Sequence, residues 1–246
     1  MIREPDPGTT ESEWTEHLEE LRRRIIACLV VFAAASLGAF AASGRIAAFL
    51  MAPLEGLGIR VYTFNPAEKF AAYLRLSLWA GGIVSAPFLL LQGLLFVWPG
   101  LRGQERGYTA AALFAIPALF TAGAGGAYWF LSPKVLGFFL RFGGADGIQP
   151  LWGFKEYLGM LCSLMFAAGL LLQAPLLLLL AFITGITTPE AAGRFRPLWV
   201  FLIFLAAAVC TPPDVVSQIA LGVPLYLLFE LTLCIGRALR PRKGVQ

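Results

Sequence analysis

Residues 10–25, TESEWTEHLEELRRRI, hold the side chains of this chain best placed to do chemistry. Glu13, Glu16 and Glu20 recur at helical spacing, and Arg22, Arg23 and Arg24 follow just before a long apolar run. Trp14, Leu18, Leu21 and Ile25 form an apolar stripe beside the acids, the i, i+4, i+7 pattern of an amphipathic helix. Thr10 followed by Glu13 fits a capping box, so the helix is expected to start there. A membrane surface is usually lined by Lys and Arg, so an acidic face at that position calls for a basic ligand. The competing possibility is internal: Glu19–Arg23 and Glu20–Arg24 are i,i+4 pairs in the favourable order, contributing about 0.2–0.5 kcal/mol each. A ligand offering forked guanidinium contacts would compete with such weak pairs, because the arginine–carboxylate fork is the stronger geometry. The residues alone weigh the two readings evenly.

The other polar candidates are few. Glu105, in the turn LRGQERG, is an ordinary loop acid by itself but a second carboxylate if it lies on the same side as Glu20. Gln173 stands alone in an apolar run, either as a helix–helix hydrogen bond or as a docking point for a partner helix with its own polar residue. Glu230 is read as a paired or snorkelling structural acid, and Asp214 as a helix cap after two prolines. Pro87, Pro117, Pro175 and Pro224 are expected to kink their helices. Cys28, Cys162, Cys210 and Cys234 are scattered singly, which speaks against a disulfide framework or metal site and for packing as small hydrophobes. His17 is the one histidine and has no cysteine near it, and neither G-x-S-x-G nor H-E-x-x-H occurs. No catalysis and no cofactor are expected.

The elements that must position these groups are membrane spans. The chain is 58% hydrophobic and only 14% charged, with mean hydropathy +0.74, whereas a soluble domain carries about 25% charge. The net charge of +4 therefore reads as topology rather than as nucleic-acid binding. Residues 1–20 hold seven acids and no basic n-region, so the first apolar run is expected to stay as an anchor. We expect a single all-α membrane domain: a disordered tail at 1–9, the amphipathic helix at 10–24, and spans at about 25–42, 76–98, 108–131, 157–183, 198–211 and 215–236. The connecting stretches 44–69 and 132–156 read as long loops, the first with short amphipathic pieces. The last two spans share 39 residues with a TPPD turn between them, so both are short and thin the bilayer locally. Six spans put both termini on one side, which holds 12 Lys and Arg against 7 on the other, and the positive-inside rule makes that side cytoplasmic. A solute transporter would need an ionisable residue near the midplane, and no internal repeat is visible.

Taken together, HLEELRRRI (17–25), FNPAEKF (64–70), SAP (85–87), FVWPGLRGQERG (96–107), GITTPE (185–190), RFRPLW (194–199), TPPDVVSQ (211–218) and PLYLLFE (224–230) resemble TatC, the polytopic subunit of the twin-arginine protein translocase. Each motif is weak alone; their order and spacing, from about residue 14 to 236, are specific. The resemblance implies six helices in a concave, glove-like arrangement and a receptor for folded cargo whose signal peptide carries paired arginines. It implies that Glu20 and Glu105 read the arginine pair, with Arg22 beside them. Pro53, Pro87, Phe96, Pro99, Asp214 and Gln218 fall on characteristic positions, most of them structural. Implied partners are TatA-like and TatB-like single-span proteins, further copies of the same chain, and the lipid of a bacterial cytoplasmic membrane. The energy source implied is the proton-motive force. One departure stands out: where the family commonly places a glutamate, this chain has Gln173, which hydrogen-bonds but cannot ionise.

Overall fold

The computed structural model describes residues 7–97, 106–143, 151–210 and 215–239. Helix dominates: α1 (Pro7–Ala41), α2 (Ser43–Glu55), α3 (Pro66–Val97), α4 (Arg106–Gly126), α5 (Ser132–Gly143), α6 (Phe154–Leu171), α7 (Ala174–Ile183), α8 (Pro189–Arg194), α9 (Arg196–Cys210) and α10 (Val215–Leu239). Two short strands, β1 (Val61–Tyr62) and β2 (Trp152–Gly153), pair in parallel, with Val61 opposite Trp152 and Tyr62 opposite Gly153. Among the described residues, five helical stretches are long and apolar enough to cross a bilayer: Thr15–Ala41, Pro66–Phe96, Leu113–Leu140, Phe154–Ile183 and Val215–Ala238. The sixth apolar helix is α9. Its 15 residues rise only about 22 Å, short of a ~30 Å hydrocarbon core. The expected all-α polytopic membrane protein with a short fifth membrane helix is what the chain builds, but the last helix, also expected to be short, is not: α10 continues past residue 236 and has 25 residues, enough to span.

Several boundaries depart from the sequence reading. The amphipathic helix and the first span are one continuous rod, because no proline or glycine interrupts residues 8–37 after Gly8, and α1 runs unbroken to Ala41. It opens at Pro7, where a fixed φ and a missing N–H are harmless, so Thr10 lies inside the helix and not at its cap. The stretches read as loops, 44–69 and 132–156, contain α2 and α5 and are tied by the β1–β2 pair. Pairing of these two connections requires them to lie on one side of the membrane, as the span count demands. The third span does not stop at residue 131. A π-helical turn, Ala127–Leu131, carries α4 into α5.

Pro53 explains part of the cap formed by α2 and α5. It removes the N–H that would have bonded the Phe49 carbonyl, and the Tyr128 hydroxyl donates to that carbonyl at 2.7 Å. The buried Tyr157 hydroxyl donates to the Leu50 carbonyl at 2.7 Å, one residue along. Around these bonds Leu50, Leu54, Leu76, Leu136 and Leu161 form the principal core, joining α2, α3, α5 and α6. Below it, the π-helical turn, α6, α9 and α10 meet around Leu131, Leu164, Ala168, Ala207 and Leu221.

Close helix contacts depend on small residues, as expected where lipid supplies no hydrophobic drive between helices. A side chain at Gly81 of α3 would run into the backbone of Ser36 on α1. One at Gly123 of α4 would sit 2.6 Å from the Ala168 carbonyl of α6. Pro175 breaks the fourth span into α6 and α7, leaving Gln173 at the junction.

Candidate functional site: the charged rim of α1 and α3

α1 and α3 run antiparallel, so Ser36 faces Gly81 at one end while Arg24 faces Gln92 at the other. Here the charged end of α1 meets the last turns of α3. The Arg24 guanidinium makes four contacts. Its Nε and Nη2 donate to Glu20 Oε1 at 3.0 and 2.6 Å, its Nη1 donates to Gln92 Oε1 at 2.7 Å, and its Nη2 reaches the Leu95 carbonyl at 3.3 Å. His17 stacks on Phe96 one turn further out, with ring centroids 4.3 Å apart and planes 19° from parallel. Amphipathic patterning on α1 and a polar residue in α3 thus fix the direction of one carboxylate. The Glu20 and Arg24 side chains are 25% and 20% exposed, shielded enough to strengthen the pair yet still open to a ligand.

Of the two expected i,i+4 pairs, Glu20–Arg24 forms. Glu19 and Arg23 make no ion pair among the described residues; both are exposed and line an open concavity of about 620 Å³ with Glu16, Glu20, Arg22 and Ile26. Three carboxylates thus face the same space as two arginines. That mixture suits a ligand that carries cations and can also accept hydrogen bonds, and it gives no basis for covalent chemistry. Among the described residues, no group of three or more His, Cys, Asp or Glu could hold a metal ion.

The remaining predicted residues fall elsewhere. Gln173 lies in the membrane interior, 4% exposed, and its Nε2 donates to the Ile116 carbonyl of α4 at 3.1 Å. Its Oε1 is buried with no partner, so the amide is half satisfied. Gln218 Nε2 donates to the Phe204 carbonyl at 3.0 Å and fastens α10 to α9. Glu230 is paired, as its sequence position implied: it accepts from Arg196 at 2.8 Å and from the Tyr226 hydroxyl at 3.0 Å. Pro87 sits inside α3, and Phe96 is the partner of His17. Glu105, Pro99 and Asp214 lie outside the described residues. Sequence reasoning passed over Gln92. Its signal was a lone amide in an otherwise apolar stretch, LLLQGLL, the same signal that drew attention to Gln173.

Comparison with known proteins follows the same lines. A sequence model of the Sec-independent protein translocase protein TatC family matches residues 16–224. A chloroplastic Sec-independent protein translocase protein TATC of Arabidopsis thaliana is 34% identical over 232 residues, covering 92% of this chain and 67% of the relative. A TatC of Magnetococcus marinus is 34% identical over 234 residues, covering 94% of this chain and 86% of that one. A crystal structure described as the twin arginine translocase receptor TatC in DDM superposes with a TM-score of 0.78 at 28% identity, covering 89% of this chain and 99% of that one.

Proposed function

Because this chain belongs to the TatC family of Sec-independent protein translocase components, we propose that it is the translocase's core receptor, binding the paired-arginine signal peptide of folded cargo at the α1–α3 rim. The observation that carries this reading is the state of Glu20. Its carboxylate already accepts two N–H groups of a guanidinium, at 2.6 and 3.0 Å, at the mouth of an open acidic concavity. A site that holds one arginine side chain in this geometry suits another. Charge-assisted bonds of this kind are roughly twice as strong as neutral ones, and the planar fork favours Arg over Lys.

In this reading Glu20 takes one arginine of the signal and Glu105 the other. Arg22, exposed on the same concavity, donates to carbonyl oxygens of the signal backbone. A TatA-like or TatB-like single-span helix docks on the membrane face beside the α6–α7 junction that Gln173 holds, and a neutral amide there leaves no protonation step at that residue. Both termini lie in the cytoplasm of a bacterial inner membrane, copies of the chain assemble with these partners, and the proton-motive force drives export.

The test is export of a folded twin-arginine reporter, with site-specific crosslinking of its signal peptide, in cells whose only receptor carries Glu20→Ala or Glu105→Ala. Both variants should lose export and the signal crosslink while remaining in the membrane at normal abundance. Unchanged export and crosslinking in both would end the proposal.

A further inference from the structure

We propose that Arg24 is a specificity-determining residue of the signal site: it occupies Glu20 in place of the cargo, and an incoming arginine must displace it. This rests on Glu20 reading cargo guanidinium. The geometry is asymmetric in a useful way. Both Arg24 contacts to Glu20 fall on Oε1, and Oε2 carries no hydrogen bond among the described residues. A cargo guanidinium arriving from the concavity meets Oε2 open and Oε1 taken. It completes a two-oxygen fork only when Arg24 leaves.

Arg24 has somewhere to go. Its Nη1 already donates to Gln92 Oε1 at 2.7 Å and its Nη2 lies 3.3 Å from the Leu95 carbonyl, both on α3. These neutral acceptors keep the displaced guanidinium hydrogen-bonded, so the exchange swaps one charged pair for another and strands no charge at the bilayer surface. A lysine ammonium is a compact point charge without the planar fork. It reaches Oε2 but cannot supply two parallel N–H groups to draw the carboxylate away from Arg24. Arg24 therefore sets a threshold that an arginine clears and a lysine does not.

A stapling role, in which Arg24 only fastens α1 to α3, predicts something different. Removing either end of the staple, Arg24 or Gln92, would then loosen the rim and weaken every ligand alike. A displaceable occupant predicts opposite signs. Arg24→Gln frees Glu20 and tightens binding, whereas Gln92→Leu removes the fallback acceptor and weakens it.

The experiment is equilibrium titration of the full chain, reconstituted in lipid nanodiscs, with two fluorescent synthetic signal peptides identical but for an Arg–Arg or a Lys–Lys pair. Arg24→Gln should bind the Arg–Arg peptide about two- to fivefold more tightly, the range for releasing a partly exposed ion pair. The Lys–Lys peptide should gain more, so the preference for Arg–Arg falls. Gln92→Leu should weaken the Arg–Arg peptide. Arg24→Lys, which keeps the charge and much of the packing, should also lower the preference and serves if Arg24→Gln does not fold. Parallel weakening by Arg24→Gln and Gln92→Leu, or an unchanged preference in Arg24→Lys, would overturn the proposal. Glu20→Gln in the same titration separates the two levels. If it leaves Arg–Arg binding untouched, the receptor reading itself fails. If it destroys binding while Arg24→Gln tightens nothing, only the role of Arg24 fails.

Discussion

The two ends of the α1–α3–α6 layer are built on opposite plans. At one end, α2, α5 and the β1–β2 pair close over the spans. There Tyr128 and Tyr157 donate to backbone carbonyls of α2, bonds between two neutral groups. At the other end α1 projects a row of acids and arginines, and the contact that fixes it is an exchangeable ion pair with a neutral amide behind it. A hydroxyl bonded to a buried carbonyl cannot be replaced by a ligand; a guanidinium bonded to a part-exposed carboxylate can. The closed end holds the helices in place so that the open end can trade partners.

The largest effect that would break this contrast is at the open end. Glu20→Lys should abolish export of a folded twin-arginine reporter more completely than Glu20→Ala, because it adds repulsion toward the cargo, while thermal stability of the detergent-solubilised chain stays within about 1 kcal/mol of wild type. Equal losses for Lys and Ala would mean that the carboxylate's charge is not what matters.

Next comes the closed end. Tyr128→Phe leaves the Phe49 carbonyl without its donor and should cost about 1–3 kcal/mol in denaturant titration, with signal binding unchanged per folded molecule. Adding Pro53→Ala restores a backbone N–H to that carbonyl, so the double variant should recover part of the loss. An additive double variant would show that the tyrosine is not there to answer the proline.

A smaller effect is expected in the interior. Gln173→Leu removes an amide oxygen that is buried without a partner, so stability should change by less than about 1 kcal/mol, the lost bond to Ile116 offset by the lost desolvation penalty. Co-purification of a single-span partner should nevertheless fall, with signal binding intact. Loss of signal binding in this variant would mean that the interior and the rim are not separate sites.

The smallest is Glu230→Gln, which cuts an Arg196 pair that is 45% and 26% exposed. Such pairs are worth about 0–1 kcal/mol, so stability and export should both be close to wild type. A large loss of export would assign Glu230 a task beyond fastening α9 to α10.

What the sequence revealed follows the range of the forces involved. The spans, the short fifth helix and the Glu20–Arg24 pair were legible because hydropathy and i,i+4 spacing are local. Pairing of Glu230 was legible in kind, but its partner, 34 residues back on α9, was not. The connections were misread as loops because α2 and α5 are short, at 13 and 12 residues, and helices of that length are held by packing on their neighbours. Gln92 escaped notice for a related reason. A single amide in an apolar run has no meaning until the antiparallel fit of α1 on α3 brings Arg24 to it. His17 was read as part of the helix surface, and it is, but its stacking on Phe96 could be seen only once α3's end was in place.

Central to the account is a carboxylate at the rim of α1 that accepts a cargo guanidinium. The most direct test is the equilibrium dissociation constant of an Arg–Arg signal peptide for the reconstituted full chain, measured for wild type and for Glu20→Gln, which keeps the size of the side chain and removes only its charge. The account predicts at least about tenfold weaker binding by Glu20→Gln, the loss expected when a charge-assisted fork becomes a neutral bond. An unchanged dissociation constant would contradict it.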